Sequence, residues 1–200
     1  MAYQNNLIPP HGGYRKLKSY QTAEIVFDLT AEFCNSFLSD KSNKTYRSYR
    51  TYDQMVQAAR SGKQNIAEGS QASGTSKKTE IKLLNVARAS LEELLLDFED
   101  FLRVNNLSKW PKDLPKALEV RALGYKSNRS YRTYMSYLES AESFANAAIC
   151  LIHQANFLLD QQLRALEKDF LKNGGFTENL YKKRNEEKKK QALWKGGSWE

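Results

Sequence analysis

Proline is scarce in this chain and unevenly placed. The only four lie at positions 9, 10, 111 and 115, which leaves Gly12–Trp110 and Lys116–Glu200 without one. Proline removes a backbone donor and clashes with the preceding helical turn, so two long spans lacking it suit an all-helical protein. Strand-like alternation is also missing from them. Cysteine occurs twice, too rarely for a disulfide framework. In an up-down bundle Cys34 and Cys150 would sit ~13 Å apart along the axis, beyond the ~7 Å that a disulfide spans, so both are expected to be reduced core residues. Long apolar runs are absent: none approaches the ~20 residues needed to cross a bilayer. The polar start M-A-Y-Q-N-N lacks the charged and apolar regions of a signal peptide, and a cytoplasmic location is the expectation.

The same scarcity argues against catalysis. A di-iron bundle requires E-x-x-H pairs on its helices, and none is present. Of the two histidines, His11 lies in a Pro- and Gly-rich lead and His153 on a polar seam of a helix. Gly62-Lys63 and Gly74-Thr75-Ser76-Lys77-Lys78 contain fragments of a phosphate loop, but G-x-x-x-x-G-K-[ST] is missing and no strand precedes either. Glu68 has no partner base or nucleophile. The reading is a non-enzymatic protein with no cofactor and no metal site.

What the chain does have is helical periodicity. Residues 1–13 form an expected flexible lead. Helix one is predicted over Tyr14–Leu38, with Leu17, Tyr20, Phe27, Ala31, Cys34 and Leu38 on one face. Helix two is predicted over Tyr52–Glu68, with Met55, Val56, Ala59, Ile66 and Ala67 inward and Gly69 closing it in a left-handed cap. Ser76 is placed to cap helix three, Lys77–Arg103, and Glu80 in its first turn to favour the dipole. Leu84, Leu91, Leu95, Phe98 and Leu102 line one face of that helix. Glu93, Asp97 and Asp100 form an acidic stripe read as surface. A longer connection carries a short helix near Leu114–Leu123, and helix four spans Ser136–Asn173. Helix four is apolar almost all round from Ala141 to Leu159, save a seam at Glu142, Asn146, His153, Asn156 and Asp160. That is more apolar perimeter than three partner helices cover, which predicts a homo-oligomer. Gly174-Gly175 ends the bundle of 14–173, and 174–200 is a basic suffix, helical or disordered.

The segment R-S-G-K-Q-N-I-A-E-G from Arg60, with its serine turn and the leucine/glutamate spacing that follows, resembles the bacterial four-helix bundle family. Members of that family include proteins encoded in intervening sequences of large-subunit ribosomal RNA genes and the accessory protein of diversity-generating retroelements. The similarity rests on Ser61, Asn65, Ile66, Ala67, Glu68 and Gly69, then on Ser76, Leu84, Ala87, Ser90, Glu93 and Leu94. It implies an up-down antiparallel four-helix bundle, a ring-shaped homopentamer, a basic suffix like that of one subclass, and a reverse transcriptase as a protein partner.

Charge is plentiful and clustered. The net +8 divides into +4 over residues 41–70, +5 over 104–135 and +4 over 172–200, leaving −5 for the remainder. Ser48-Tyr49-Arg50-Thr51-Tyr52 recurs letter for letter as Ser130-Tyr131-Arg132-Thr133-Tyr134. In an up-down bundle the two basic connections share one pole, and arginines interleaved with tyrosines can pair phosphates and stack bases. The candidate nucleic-acid-binding residues are therefore Lys41, Lys44, Arg47, Tyr49, Arg50, Tyr52, Lys126, Arg129, Tyr131, Arg132 and Tyr134, with RNA preferred to DNA as partner. The competing expectation is a protein-protein adaptor whose basic pole and suffix recruit a partner.

Overall fold

Apolar residues recurring every three or four positions give the long helices faces to bury, and the buried residues join into one core. The computed structural model describes residues 8, 10–38, 46–126 and 128–196, and among these every regular element is helical. Lys41 and Lys44 lie outside the described residues. In order, the elements are a short 3-10 turn Tyr14–Lys16, α1 (Lys18–Phe33) continued by a π-helical turn Cys34–Leu38, α2 (Tyr46–Ala72), α3 (Lys77–Val104), α4 (Pro115–Leu123), a 3-10 turn Tyr131–Tyr137, α5 (Ala141–Asn173) and α6 (Phe176–Gly196).

The helices α1 and α3 each pack against both α2 and α5. Their senses follow from individual contacts. Phe33 of α1 stacks edge-on to Phe144 at the start of α5 (5.4 Å), and Ser19 donates to Gln162 near its other end (2.8 Å), so α1 and α5 are antiparallel. Ser61 meets Ser90 (2.9 Å) while Gly69 lies beside Glu80, making α2 and α3 antiparallel. Asn156 donates to Glu92 (3.1 Å) and Asp160 pairs with Arg88 (2.6 Å), giving α3 and α5 the same relation. Phe33, Phe37, Phe98, Phe101 and Phe144 form one aromatic cluster at the end of the core that holds the start of α5.

Several expectations are met. Ser76 accepts from the Thr79 amide (3.2 Å), Gly174 ends α5 with φ +69°, and the α3 stripe from Leu84 to Leu102 is buried, with Ala87 and Leu94 added to it. Others are corrected. Gly69 does not close α2, which runs on to Ala72. Gly69 is buried where α3 passes, and a Cβ there would stand 3.4 Å from the Glu80 carbonyl oxygen, at van der Waals contact. Of the expected inward face of helix one, Tyr20 and Cys34 are buried, together with Thr22, Ala23, Ile25, Val26, Leu29, Thr30 and Phe33, whereas Leu17, Phe27, Ala31 and Leu38 are half-buried at its edges. The buried threonines stay satisfied by donating to carbonyls one turn back, Thr22 to Lys18 (2.8 Å) and Thr30 to Val26 (2.7 Å). Asp97 is not plain surface, because its Oδ2 is enclosed without a hydrogen-bond partner among the described residues. Helix α5 begins at Ala141, capped by Ser140, because the tyrosine-rich stretch before it takes a tighter 3-10 form.

The connection 105–140 does not stay at the end of the core. Asn146 of α5 is buried, accepts from the Trp110 amide (2.7 Å) and donates to the Ser108 carbonyl (2.9 Å), fixing its start. The chain then lays α4 along α5, with Gly124 against Gln154, and returns as the 3-10 turn across both α1 and α5. Tyr137 closes the excursion, its hydroxyl on Glu119 (3.0 Å) and its ring 6.2 Å from that of Trp110. Much of the surplus apolar perimeter of α5 is thus covered by this chain's own Ala117, Val120, Tyr134 and Tyr137, while Phe157 remains exposed. Ahead of α1, the Gly12 amide donates to the Ser70 carbonyl (3.0 Å), tying the lead to the end of α2.

Candidate nucleic-acid interface

The two copies of S-Y-R-T-Y adopt different backbones. The first is α-helical, because α2 starts at Tyr46; the second forms the 3-10 turn, whose start is held by reciprocal bonds between Ser130 and Thr133. Two residues span about 200° in an α-helix and about 240° in a 3-10 helix, so either form sends the arginine and the last tyrosine to opposite sides. Arg50 and Arg132 are both exposed. Tyr52 is half-buried and donates to Asn35 (2.9 Å), and Tyr134 is fully buried in the core. Tyr131 is half-buried against the same core.

This corrects part of the expected site. Tyr134 is held inside the protein, and burial pushes its hydroxyl above the ordinary tyrosine pKa while the charge of Arg129 and a hydrogen bond with it pull the other way. A side chain so placed has no face for a base to stack on. Arg47 and Tyr49 sit in the first turn of α2.

The copies also do not share one pole. Tyr52 bonds Asn35, whereas Arg129, just ahead of the second copy, donates from Nη2 to Thr22 Oγ1 at 2.6 Å. Thr22 precedes Asn35 by 13 residues, roughly 20 Å along the helix. The excursion of α4 along α5 carries the second basic segment down the flank. There Lys126 and Arg129 meet Arg15 and Lys18 of the α1 start around one cavity of about 300 Å³, with Glu24 and Asp28 also in its wall. Arg15 and Lys18 were missed from sequence because they belong to a stretch counted with the net-acidic remainder.

Basic side chains also line α6, where Lys182, Arg184, Lys188, Lys189 and Lys190 are exposed, as are Tyr181, Leu193 and Trp194. No group of three or more His, Cys, Asp or Glu among the described residues is arranged to hold a metal ion, and no described helix is long and apolar enough to cross a membrane. Comparisons with protein-family models, with curated proteins and with solved structures give no match.

Proposed function

We propose that the chain is a non-enzymatic, homo-oligomeric four-helix bundle of α1, α2, α3 and α5 that binds nucleic acid, RNA in preference to DNA, through its exposed basic segments. The observation that carries this reading is the shared sidedness of the repeat. Arg50 and Arg132 face solvent in two different backbone settings while Tyr52 and Tyr134 turn inward. Such a surface contacts phosphates and leaves bases unread, so binding is tolerant of sequence and steep in salt. The resemblance to retroelement accessory proteins supports a role beside a reverse transcriptase, and the exposed Phe157 and Leu96 are apolar positions suited to a subunit contact, five subunits by that same resemblance.

The test is binding of the purified chain to a labelled single-stranded RNA between about 50 and 200 mM salt. Affinity should fall steeply, and Arg50→Ala with Arg132→Ala should flatten the log-log slope by about 0.7 per arginine while helicity and mass are unchanged. Flat or absent binding at the lower salt overturns the reading. A second reading, a protein adaptor, is favoured by α6, which packs little against the other helices and exposes Tyr181, Leu193 and Trp194. Under that reading, removing residues 176–200 abolishes partner capture and leaves RNA affinity unaltered.

A further inference from the structure

We propose that the crevice lined by Arg15 and the first half of α1 on one side, and by Lys126 and residues 128–130 on the other, is a binding site for a small phosphate-bearing anion. Two chain segments over a hundred residues apart bring Arg15, Lys18, Lys126 and Arg129 to the wall of one cavity of about 300 Å³. That volume lies at the lower end for small-ligand sites and suits a phosphate with a modest group attached.

Arg129 is the centre of the argument. Its Nη2 is fixed by Thr22, and Thr22 is itself oriented by donating to the Lys18 carbonyl. Its Nε and Nη1 are enclosed beside the Tyr134 hydroxyl, a neutral neighbour, and no carboxylate bonds them among the described residues. An enclosed guanidinium with no carboxylate bonded to it is unfavourable. Glu24 and Asp28 line the same cavity, yet none of the four cations forms an ion pair among the described residues. Glu24 instead accepts from the Tyr20 hydroxyl (3.2 Å), while burial raises the Asp28 carboxyl against the opposing charge of Lys63 on α2. A phosphate beside Arg129 provides the missing negative charge. Its two charges match several cations better than a carboxylate does, and guanidinium is the side chain best shaped to hold it. The site concerns a small ligand and its existence is read with inorganic phosphate alone, so its failure and that of the RNA reading are separate results.

The experiment is thermal unfolding of the full chain in inorganic phosphate, at ionic strength matched with chloride, together with 31P line broadening. A saturable rise in Tm is expected. Lys18→Gln and Lys126→Gln, both at exposed positions, should each weaken phosphate affinity about tenfold, as removal of one charge-assisted hydrogen bond to the anion would. Arg129→Gln should abolish the shift; should that variant fail to fold, the two lysine variants carry the test. Loss of the shift in the presence of a short single-stranded RNA assigns the phosphate to a nucleic-acid backbone, and its persistence assigns it to a free phosphate ester. No saturable shift at millimolar phosphate, or the same affinity in every variant, overturns the proposal.

Discussion

Arg129 and Thr22, 107 residues apart, are joined by a 2.6 Å hydrogen bond from guanidinium Nη2 to threonine Oγ1. The same hydroxyl donates to the Lys18 carbonyl, so a single buried oxygen both closes a turn of α1 and pins the loop that follows α4. That loop carries the second basic segment, and the bond decides where its charge is presented.

The Thr22 hydroxyl can be removed without changing the shape of the side chain. Thr22→Val leaves Arg129 with no acceptor and should destabilise the chain by about 1–3 kcal/mol, the cost of an unsatisfied buried donor. Thr22→Ser keeps the acceptor and should lose less than half as much. Urea midpoints compare the two, and equal losses would mean that packing, not the bond, holds the loop.

Two glycines of α2 make opposite predictions. A Cβ at Gly62 would fall 2.8 Å from Cγ and Cδ2 of the fully buried Leu91, so Gly62→Ala should overpack the α2–α3 seam and destabilise by about 1–3 kcal/mol. At Gly69 the nearest atoms stand at 3.4 and 3.5 Å and φ is not in the left-handed region, so Gly69→Ala should be neutral or gain up to about 1 kcal/mol in helix propensity. Thermal unfolding followed by circular dichroism separates them. A large loss at Gly69 would restore the left-handed cap read from sequence.

The pair also shows which parts of the fold were legible. The α3 stripe, the Ser76 cap and the Gly174 stop are local signals that lie within a turn or two of sequence and need no partner to be read. Gly69 follows an amphipathic run, as a capping glycine does, and only the continuation of α2 to Ala72 alongside Glu80 of α3 shows that it lies within the helix. The path of the connection depends on Asn146 holding Ser108 and Trp110, and on Gly124 admitting Gln154, contacts that no periodicity encodes. The exposed arginines of the repeat were legible from charge and spacing. Their separation along the flank, and the company of Arg15 and Lys18, were not.

Asp97 gives the stability a pH dependence of definite sign. Burial first, then the charges of Glu93 and Asp100, raise its pKa from 3.8 to about 6. A carboxyl whose folded value is raised favours the native state when protonated, so its contribution is fully present below about pH 4 and is lost as pH rises to about 6. Asp97→Asn should therefore stabilise the chain at pH 7 by an amount on the order of 1–2 kcal/mol, discounted for partial exposure, and by almost nothing near pH 4. Denaturant midpoints at the two pH values read this directly; a difference independent of pH would refute the assignment.

Asp97 also acts on Cys34. Burial, reinforced by the Asp97 charge, pushes that thiol up to about 12, and burial raises Cys150 as well. Since the thiolate is the reacting species, both residues should resist a thiol reagent in the native chain at pH 8 and react promptly in urea. Rapid native labelling of Cys34 would mean that the aromatic end of the core opens readily.

Tyr134 decides between stacking and packing as the purpose of the repeated tyrosines. Its hydroxyl is enclosed beside the Arg129 guanidinium, so Tyr134→Phe gives up at most one weak hydrogen bond and should leave stability within about 1 kcal/mol of the parent. Tyr134→Ala empties a fully buried position and should lose about 3–5 kcal/mol. Under the proposed function, nucleic-acid affinity should be the same for the parent and the Phe variant, because the ring faces Arg129 and the core while Arg50 and Arg132 are exposed. If Tyr134→Phe keeps its stability but binds RNA severalfold more weakly, the hydroxyl reaches the ligand and the 3-10 turn must unfold from the α1–α5 seam when nucleic acid binds.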